Sequence, residues 1–245
     1  MNVVVLGASS SVGAGVAEAF SPGNRLLLTG RDMPRLRRTA ERCGAGGASH
    51  VVEMAWDLQQ GSGGLKKAAV DWRPDLVINA ASSTSRLRDR QISIEDMGSI
   101  LAAELTTPFE VVQSVLANRE GRPVGILFIS TMLSVMKSPD REIYGALKRI
   151  HEKVLLGLTA SQPELRLLIV RISKWIPPDA ESPETKKLGL AVLDAYRGGK
   201  RVLYFGFPGR LATALYYAQP LLFDLAVRVN RALRKPQNRQ NRDVP

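Results

Sequence analysis

The sequence is poor in cysteine, histidine and long apolar runs, and each shortage excludes a class of protein. Its one cysteine, Cys43, cannot form an internal disulfide, which is typical of a protein of the reducing cytoplasm. The two histidines, His50 and His151, have no cysteine or carboxylate at ligand spacing, so we predict no metal site. The most apolar stretch, 212–229, is interrupted by a proline and two polar residues and is not expected to span a membrane.

Acidic residues are scarce in the last fifth of the chain. Residues 197–245 carry 10 Lys and Arg against 2 Asp and Glu, a net charge of +8, whereas residues 1–196 carry 24 against 21, a net charge of +3. This asymmetry favours an anionic surface as the partner of the C-terminal segment. The polar end, 236–245, is expected to be disordered. No charged leader precedes the first apolar run, so no signal peptide is expected.

Short apolar runs alternate with stretches of helical periodicity, which predicts a parallel sheet covered by helices on both faces. The 245 residues suit one such α/β domain. We predict strands at 3–6, 26–29, 51–54, 76–78, 125–129, 165–172 and 202–205, helices at 14–20, 33–42, 65–70, 95–118 and 144–159, and a loop at 44–48. We therefore assign residues 1–206 to one doubly wound domain and 207–235 to a helical extension.

The turn after the first strand is rich in glycine and serine. Gly7 ends the apolar run, and Gly13 lies just before the helical pattern begins. A strand that breaks on glycine and opens a helix directs backbone N–H groups and the positive helix end at one point, which suits a pyrophosphate. An ordinary glycine-rich turn is the alternative. The residues that we expect to contact a nucleotide cofactor here are Gly7, Ser9, Ser10, Ser11, Val12 and Gly13.

A tyrosine and a lysine, Tyr144 and Lys148, stand four residues apart on a predicted helix and so project from one face. A tyrosine hydroxyl titrates near about pH 10, too high for ready proton exchange at neutral pH. A neighbouring ammonium favours the phenolate, so we expect Lys148 to lower the pKa of Tyr144. Thr131 ends a strand thirteen residues before Tyr144 and would add a hydroxyl, or else only cap the strand end.

Together these motifs resemble the short-chain dehydrogenase/reductase family over about residues 1–205. They are Gly7-x5-Gly13, Thr29-Gly30-Arg31, Asp57-Leu58, Asn79-Ala80-Ala81, Ser130-Thr131 and Tyr144-x3-Lys148. The resemblance implies a Rossmann-type fold, reduction of a ketone or oxidation of an alcohol, a cytoplasmic protein and a homodimer or homotetramer.

The resemblance also implies roles for individual residues. Tyr144 would be the general acid, Lys148 would in addition hold the cofactor ribose, and Thr131 would hold the substrate oxygen, with Ser134 as the alternative. Further cofactor contacts would come from Asp57, Leu58, Asn79, Ala80 and Ala81. An arginine at the end of the second strand binds the extra phosphate of NADP, so Arg31 favours NADP(H) over NAD. The alternative is that a shift of the loop brings the carboxylate of Asp32 to the ribose, which would favour NAD.

Three positions depart from the family pattern. Glu104 stands where the family carries an asparagine whose main-chain carbonyl holds a relay water. Pro108 has no N–H for the carbonyl of Glu104, so that carbonyl is freed, and the Glu104 carboxylate could pair with Lys148. The other departures are Ser11, which replaces a glycine, and Ile172-Ser173, which replaces a Pro-Gly. They leave a catalytically weak NADP(H)-binding regulatory or scaffold protein as the alternative function.

The C-terminal part contains Arg-Val-Leu-Tyr-Phe at 201–205, Pro-Gly-Arg-Leu at 208–211 and Pro-Leu-Leu-Phe at 220–223. This arrangement resembles the extension of decaprenylphosphoryl-2-keto-pentose reductase-like bacterial enzymes. The resemblance implies a substrate that is hydrophobic or lipid-linked, such as a lipid-linked sugar. Residues 211–235 form a basic amphipathic pattern that suits peripheral contact with the inner face of a membrane. Packing on the domain or on a second copy is the alternative. Nucleic acid is not expected as a partner, because the segment has no interleaved aromatics and no binding motif.

Overall fold

The sheet that organises the fold has seven parallel strands in the order β3-β2-β1-β4-β5-β6-β7. The computed structural model describes residues 1–82, 92–136, 138, 140–162 and 164–206. The strands are β1 (Asn2–Leu6), β2 (Arg25–Gly30), β3 (His50–Ala55), β4 (Leu76–Asn79), β5 (Gly125–Thr131), β6 (Arg166–Ile172) and β7 (Val202–Phe205). All seven were predicted to within two residues, and the Rossmann-type doubly wound α/β fold is confirmed.

Helices cover both faces of this sheet. They are α1 (Ser11–Ala19), α2 (Met33–Ala45), α3 (Gly63–Asp71), α4 (Met97–Leu101), α5 (Thr107–Ala117), α6 (Glu142–Ser161) and α7 (Pro183–Arg197). A π-helical segment, Ala102–Thr106, joins α4 to α5, and short 3₁₀ turns lie at Leu58–Gln60 and Met132–Ser134.

Three helix predictions were wrong in extent or were missing. Helix α1 begins at Ser11 because the side chain of Ser10 accepts the N–H of Gly13 and caps it. Helix α2 extends into the predicted loop at 44–48 and ends at Ala45. Helix α7 was not predicted, although Ser182 caps it through the N–H of Thr185 and Pro183 opens it.

Side chains of the central strands alternate between two buried layers. Val3 and Val5 face the layer of α1, α2 and α7, where Phe20 and Leu188 are fully buried. Val4 lies on the other face, with side chains of α3, α5 and α6. Burial on both faces explains why the strands appear in sequence as unbroken apolar runs.

Helices α1 and α7 pack at very short range. A Cβ atom added at Gly189 would lie 2.2 Å from the carbonyl oxygen of Gly15, and one added at Gly15 would lie 2.4 Å from Thr185 Cγ2. The two glycines therefore permit backbone contact between the first helix and α7, which brings α7 against the start of the chain.

The continuous helical stretch Met97–Ala117 is, within the described part of the chain, the one segment long and apolar enough to cross a membrane. Half of it is buried in the fold, where Val111, Val112 and Val115 pack under the sheet, which accounts for its apolar composition. The predictions for 207–235 and 236–245 fall on residues outside the described ranges.

Candidate active site

The turn after β1 is held by its own backbone and by one serine. Gly7 has a φ of +84°, and a Cβ there would lie 2.7 Å from the backbone of Ala81. A Cβ at Gly13 would lie 2.2 Å from the Gly7 carbonyl oxygen, so α1 can start this close to the turn only with glycine. Ser10 Oγ donates to the Gly7 carbonyl at 2.8 Å and accepts from Gly13 N–H at 3.0 Å.

This turn opens on a cleft of about 260 Å³ at the carboxyl ends of β1, β2 and β4. Of the predicted cofactor residues, the cleft is lined by Gly7, Ser9, Ser10, Arg31, Asp57, Leu58, Ala80 and Ala81. Other lining residues, which the sequence analysis did not include, are Arg35, Trp56, Gln59, Ser82 and Ala103. Ser11, Val12 and Gly13 form the first turn of α1 and are not part of this lining.

Arg31 and Asp32 have separate tasks at one end of the cleft. Asp32 Oδ1 accepts the N–H of Arg35 at 3.0 Å and caps α2, and its Oδ2 lies 3.4 Å from Arg35 Nε. Arg31 and Asp32 are both exposed and both line the cleft, but the Asp32 carboxylate is held by the start of α2. This cap favours Arg31 over Asp32 as the residue that contacts a cofactor, and Asp32 stays the alternative.

Asp57 and Asn79 stabilise the walls of the cleft. Asp57 Oδ1 accepts the N–H of Gln59 at 3.0 Å and so caps the 3₁₀ turn Leu58–Gln60. Asn79 is buried and accepts the N–H of Ala81 at 3.2 Å. It steadies the end of β4 but, contrary to the predicted cofactor contact, does not itself line the cleft, whose wall there is Ala80, Ala81 and Ser82.

Four side chains converge at the other end of the cleft. Lys148 Nζ lies 3.2 Å from Glu104 Oε2, with both side chains almost fully withdrawn from solvent. The hydroxyl of Ser82 donates to Glu104 Oε1 at 2.8 Å, and Ser82 lies near enough to Tyr144 to lower its pKa slightly. Lys148 Nζ in addition donates to the Ala81 carbonyl at 3.1 Å. The predicted pairing of Glu104 with Lys148 is confirmed.

Lys148 lowers the pKa of Tyr144 as predicted, but the net pKa is raised. Burial raises the pKa of Tyr144, Lys148 opposes this, and the Glu104 carboxylate adds to the increase. Burial alone would lower the pKa of Lys148, but the adjacent Glu104 carboxylate holds it above its ordinary value. The ammonium is therefore largely compensated by Glu104, which leaves less of its charge to act on the phenol.

The main-chain carbonyl of Glu104 is hydrogen-bonded to a side chain, that of His151. Pro108, four residues later, has no N–H for this carbonyl, as the sequence analysis predicted. His151 Nδ1 lies 2.9 Å from this oxygen, so the ring donates from Nδ1. The His151 ring stacks on Phe128 with 4.2 Å between centroids. Burial lowers the pKa of His151 to about 4, and the imidazole is neutral at neutral pH. The carbonyl that the resemblance assigned to a relay water is used by a side chain.

The two candidate hydroxyls at the end of β5 differ in their surroundings. Thr131 Oγ1 accepts the N–H of Leu133 at 3.3 Å, which is the capping role, and its own proton remains available for donation. Ser134 is fully buried, and its Oγ lies 2.7 Å from Glu152 Oε1 and 2.8 Å from the Thr131 carbonyl. Ser134 is thus held inside the fold, which favours Thr131.

A buried ion pair that the sequence analysis missed lies behind this turn. Arg171 Nη2 is 2.6 Å from Glu152 Oε2, and Ser130 donates to Glu152 Oε1 at 2.5 Å. Glu152 therefore ties β5, β6 and α6 together beneath the site. Arg149 Nε also donates to the Ser134 carbonyl, at 2.6 Å.

Close packing sets the position of Tyr144 relative to the end of β5. A Cβ at Gly145 would lie 2.5 Å from the Leu133 carbonyl oxygen, so α6 touches the turn that follows Thr131. The loop after β6, which begins at Ser173, leaves Trp175 75% exposed and Ile176 partly buried against the core. Across the described residues no cluster of His, Cys, Asp and Glu is arranged to hold a metal ion.

The family model described as short chain dehydrogenase matches residues 1–187. No curated protein matches the sequence significantly.

Many solved structures share the fold at low sequence identity. A short-chain dehydrogenase from Sphingobium yanoikuyae in complex with NADPH is 22% identical, with a TM-score of 0.70 over 99% of this chain and 98% of that one. A bulky-bulky ketone specific alcohol dehydrogenase from Comamonas testosteroni is 20% identical, with a TM-score of 0.73 and the same coverage. A 3-oxoacyl (acyl-carrier-protein) reductase from Agrobacterium tumefaciens with NADP bound is 19% identical, with a TM-score of 0.71 over 84% and 93%.

Proposed function

The chain belongs to the short chain dehydrogenase family, and from this premise we propose that it is an NADPH-dependent oxidoreductase that reduces a keto group or oxidises the matching alcohol. One observation carries the proposal. Glu104 contacts Lys148 Nζ, which lies 5.9 Å from the centroid of the Tyr144 ring, and it also contacts Ser82, which forms one end of the cleft that starts at the glycine-rich turn. A proton donor thus lies beside a groove of the kind that holds a dinucleotide.

The residues of the cleft fit NADP(H). Gly7 keeps the turn free of a side chain, and the N-terminus of α1 directs its N–H groups toward it. Arg31 is exposed at the wall, where a guanidinium can bind the additional phosphate, while Asp32 is held on α2. Two similar structures contain NADPH or NADP. When bound, the reduced nicotinamide supplies the hydride.

The phenol of Tyr144 donates its proton to the substrate oxygen as the C=O bond becomes a C–OH bond. Because burial raises the pKa of Tyr144, the phenol stays protonated at neutral pH and is ready to act as an acid. Ser82 then offers a route for a proton back to the phenolate, since it is hydrogen-bonded to the Glu104 carboxylate and lies near Tyr144. Lys148, charged and paired with Glu104, is the source of that proton.

Thr131 orients the substrate carbonyl by donating its hydroxyl proton to the oxygen. Its hydroxyl already accepts from Leu133 N–H, which fixes the direction in which the proton points. The buried Glu152–Arg171 pair keeps the strand end and α6 in register, through Ser130 on one side and Ser134 on the other. This scaffold holds Thr131 at one position relative to α6.

The substrate part of the proposal depends on the basic C-terminal segment. We propose that the substrate is a hydrophobic or lipid-linked ketone or alcohol, such as a lipid-linked sugar. We also propose that the enzyme is cytoplasmic and that its residues 211–235 bind the membrane surface where this substrate lies. Sedimentation of the full chain with anionic vesicles, but not with neutral ones, would support it. A chain lacking 211–235 that keeps its fold and still sediments would contradict it. Light scattering would test the proposed homodimer or homotetramer.

The experiment that tests the activity replaces Tyr144 by Phe. Consumption of NADPH is followed by absorbance with a panel of ketones and ketosugars, and NADPH binding is measured by calorimetry. We expect Tyr144→Phe to lose turnover by about a thousandfold or more while binding NADPH normally. Tyr196→Phe, which removes a phenol oxygen on α7, is the matched control and should turn over normally. Unchanged turnover in Tyr144→Phe would reject the assignment.

A weak enzyme or an NADP(H)-binding regulatory protein is the second candidate, favoured by one observation. Glu104 compensates the charge of Lys148, and the pKa of Tyr144 is raised. A phenolate is therefore harder to form than it would be beside an uncompensated ammonium. Tight NADPH binding with no oxidation across the panel would favour this candidate, and measurable turnover that depends on Tyr144 would exclude it.

A further inference from the structure

Arg141 has unused hydrogen-bonding capacity beside the proposed acid. Its guanidinium carbon lies 5.0 Å from the centroid of the Tyr144 ring. Its main chain is fully engaged, because the N–H donates to Ser138 O and the carbonyl accepts from Gly145 N. Its Nε and Nη2 atoms are buried and, among the residues that the structure describes, contact no acceptor.

The two unpaired nitrogens have the geometry of an anion site. Nε and Nη2 form one edge of a guanidinium, the edge that binds both oxygens of a carboxylate or phosphate. Leaving charged donors buried without a partner is costly, so a partner is expected when the protein works. The neighbouring carboxylate of Glu142 is directed elsewhere and accepts the N–H of Ser138 at 2.6 Å. Arg141 as a whole is only partly buried, which leaves a ligand a route to it.

Arg141 differs in this respect from other arginines with a buried unpaired nitrogen. Arg119 binds Glu164 through Nη2, and Arg122 donates from Nη1 to the carbonyl of Arg73, so each has an acceptor elsewhere on its guanidinium. Both precede the N-terminal end of β5, whereas the candidate site lies at the carboxyl ends of the strands. Within the described ranges, Arg141 combines an unpaired edge with contact to the Tyr144 ring.

We infer that Arg141 binds an anionic group, carboxylate or phosphate, on the keto substrate and holds it beside the phenol of Tyr144. The inference rests on the proposed function in one respect, that Tyr144 faces the reacting carbonyl. It narrows the substrate to keto compounds whose negative charge lies a few bonds from the carbonyl carbon. Stacking on the Tyr144 ring keeps the guanidinium in place, so the anion site and the proton donor move as one unit.

The test measures binding, which does not require turnover. Isothermal titration calorimetry of the full chain, with and without NADP⁺, uses para-acetylbenzoate, para-acetylphenyl phosphate and the uncharged para-acetylbenzamide as probes. The variants are Arg141→Gln, Arg141→Lys and, as the matched control, Lys153→Gln, which removes one positive charge from an exposed position of α6, the helix that follows Arg141. NADP⁺ affinity is measured in each variant and should not change.

We expect the wild type and Lys153→Gln to bind a charged probe about tenfold or more tightly than the amide. Arg141→Gln should lose this preference, and Arg141→Lys should keep part of it, because lysine retains the charge but not the fork. The tighter of the two anions identifies the source of the charge as carboxylate or phosphate. If neither the wild type nor any variant binds NADP⁺, the proposed function is contradicted. The preference for charged probes can still be measured in that case, because it does not depend on NADP⁺.

Two results would overturn the inference. One is equal affinity of the wild type for charged and uncharged probes, and the other is an unchanged preference in Arg141→Gln. An internal partner would produce the first result. Within 83–91 the acidic residue is Asp89. If Asp89 is the partner of Arg141, Asp89→Asn and Arg141→Gln should lower the free energy of unfolding equally. The wild type should then bind the charged and uncharged probes with the same affinity.

Discussion

Glu104 Oε2 lies 3.2 Å from Lys148 Nζ, and this ion pair is buried at the base of the candidate site. The pair joins the π-helical segment to α6 and also reaches Ser82 through the second oxygen of Glu104. Two opposite charges in this setting are tolerated only together, because removing either one leaves the other buried without compensation. The pair therefore affects stability as well as the electrostatics of Tyr144.

We predict that Glu104→Gln lowers the free energy of unfolding at neutral pH by about 3 kcal/mol, since it leaves the Lys148 ammonium buried without a counter-charge. Urea denaturation measures this value. In the wild type the pKa of Lys148 is raised above 10.5, so the pair's contribution is present at neutral pH and is lost as pH rises through that pKa. In the variant, burial should lower the pKa of Lys148. The difference in free energy of unfolding between the variant and the wild type should therefore shrink as the pH rises toward 10.5.

The double variant Glu104→Gln, Lys148→Met is the control for this prediction. Replacing both charges removes the uncompensated ammonium, so most of the lost stability should return. A single Glu104→Gln variant as stable as the wild type, at every pH, would mean that the two groups are not a charged pair.

We predict that Arg31→Gln weakens NADPH binding by about tenfold or more and leaves NADH binding within about twofold of the wild type. The physical reason is that Arg31 is exposed at the cleft wall, where the additional phosphate of NADPH would be bound. Fluorescence titration with both cofactors measures the two affinities.

Asp32→Asn is the matched control for the cofactor prediction. Asparagine caps a helix about as well as aspartate, so the N–H of Arg35 should keep its acceptor. Both cofactor affinities should remain unchanged, because the carboxylate is held on α2. If NADH binding falls in this variant instead, Asp32 contacts the ribose and our assignment of the two side chains is wrong.

We predict that Gly189→Ala destabilises the domain by about 1 to 3 kcal/mol, because its Cβ would lie 2.2 Å from the carbonyl oxygen of Gly15 and force α7 away from α1. Gly157→Ala is the control, since Gly157 lies in α6 with no atom within 4 Å of an added Cβ. That substitution should stabilise the protein by about 0.5 to 1 kcal/mol. Opposite shifts in the urea midpoint would confirm both, and equal shifts would show that α1 and α7 are not in backbone contact.

The sheet and part of the site could be predicted because their signals are local. Apolar runs mark buried parallel strands, and a four-residue spacing places Tyr144 and Lys148 on one helix face. The freed carbonyl of Glu104 followed from Pro108 alone. The pairing of Glu104 with Lys148 is also confirmed. It could be predicted because the family resemblance placed these two residues, which are distant in sequence, at one site.

Other features could not be predicted because they depend on burial and on contacts between segments distant in sequence. The partner of the Glu104 carbonyl, His151, is set by how α6 packs against the π-helical segment. Arg171 lies in a strand and finds Glu152 only through the packing of α6 on the sheet. The net rise in the pKa of Tyr144 was not predicted, because the burial of this side chain cannot be judged from the sequence. Helix α7 did leave a signal, a Ser-Pro-Glu start, which was overlooked.

We predict that His151 makes the protein sensitive to mild acid. The pKa of His151 is lowered by burial from 6.5 to about 4, so the unfolded chain binds a proton there that the folded chain excludes. Its contribution to stability is present above pH 6.5 and is lost as pH falls toward about 4. The loss should amount to about 3 kcal/mol, measured as the fall in the free energy of urea unfolding across that range.

His151→Asn separates this effect from the titration of carboxylates, because the amide N–H can still donate to the Glu104 carbonyl but cannot take up a proton. At neutral pH the variant should be less stable than the wild type, since it loses the stack on Phe128. As the pH falls, only the wild type has the additional cost of keeping a neutral imidazole, so the two stability curves should converge toward about pH 4. Curves that fall in parallel would mean that His151 binds the same number of protons in the folded and unfolded states, which is incompatible with a buried neutral donor.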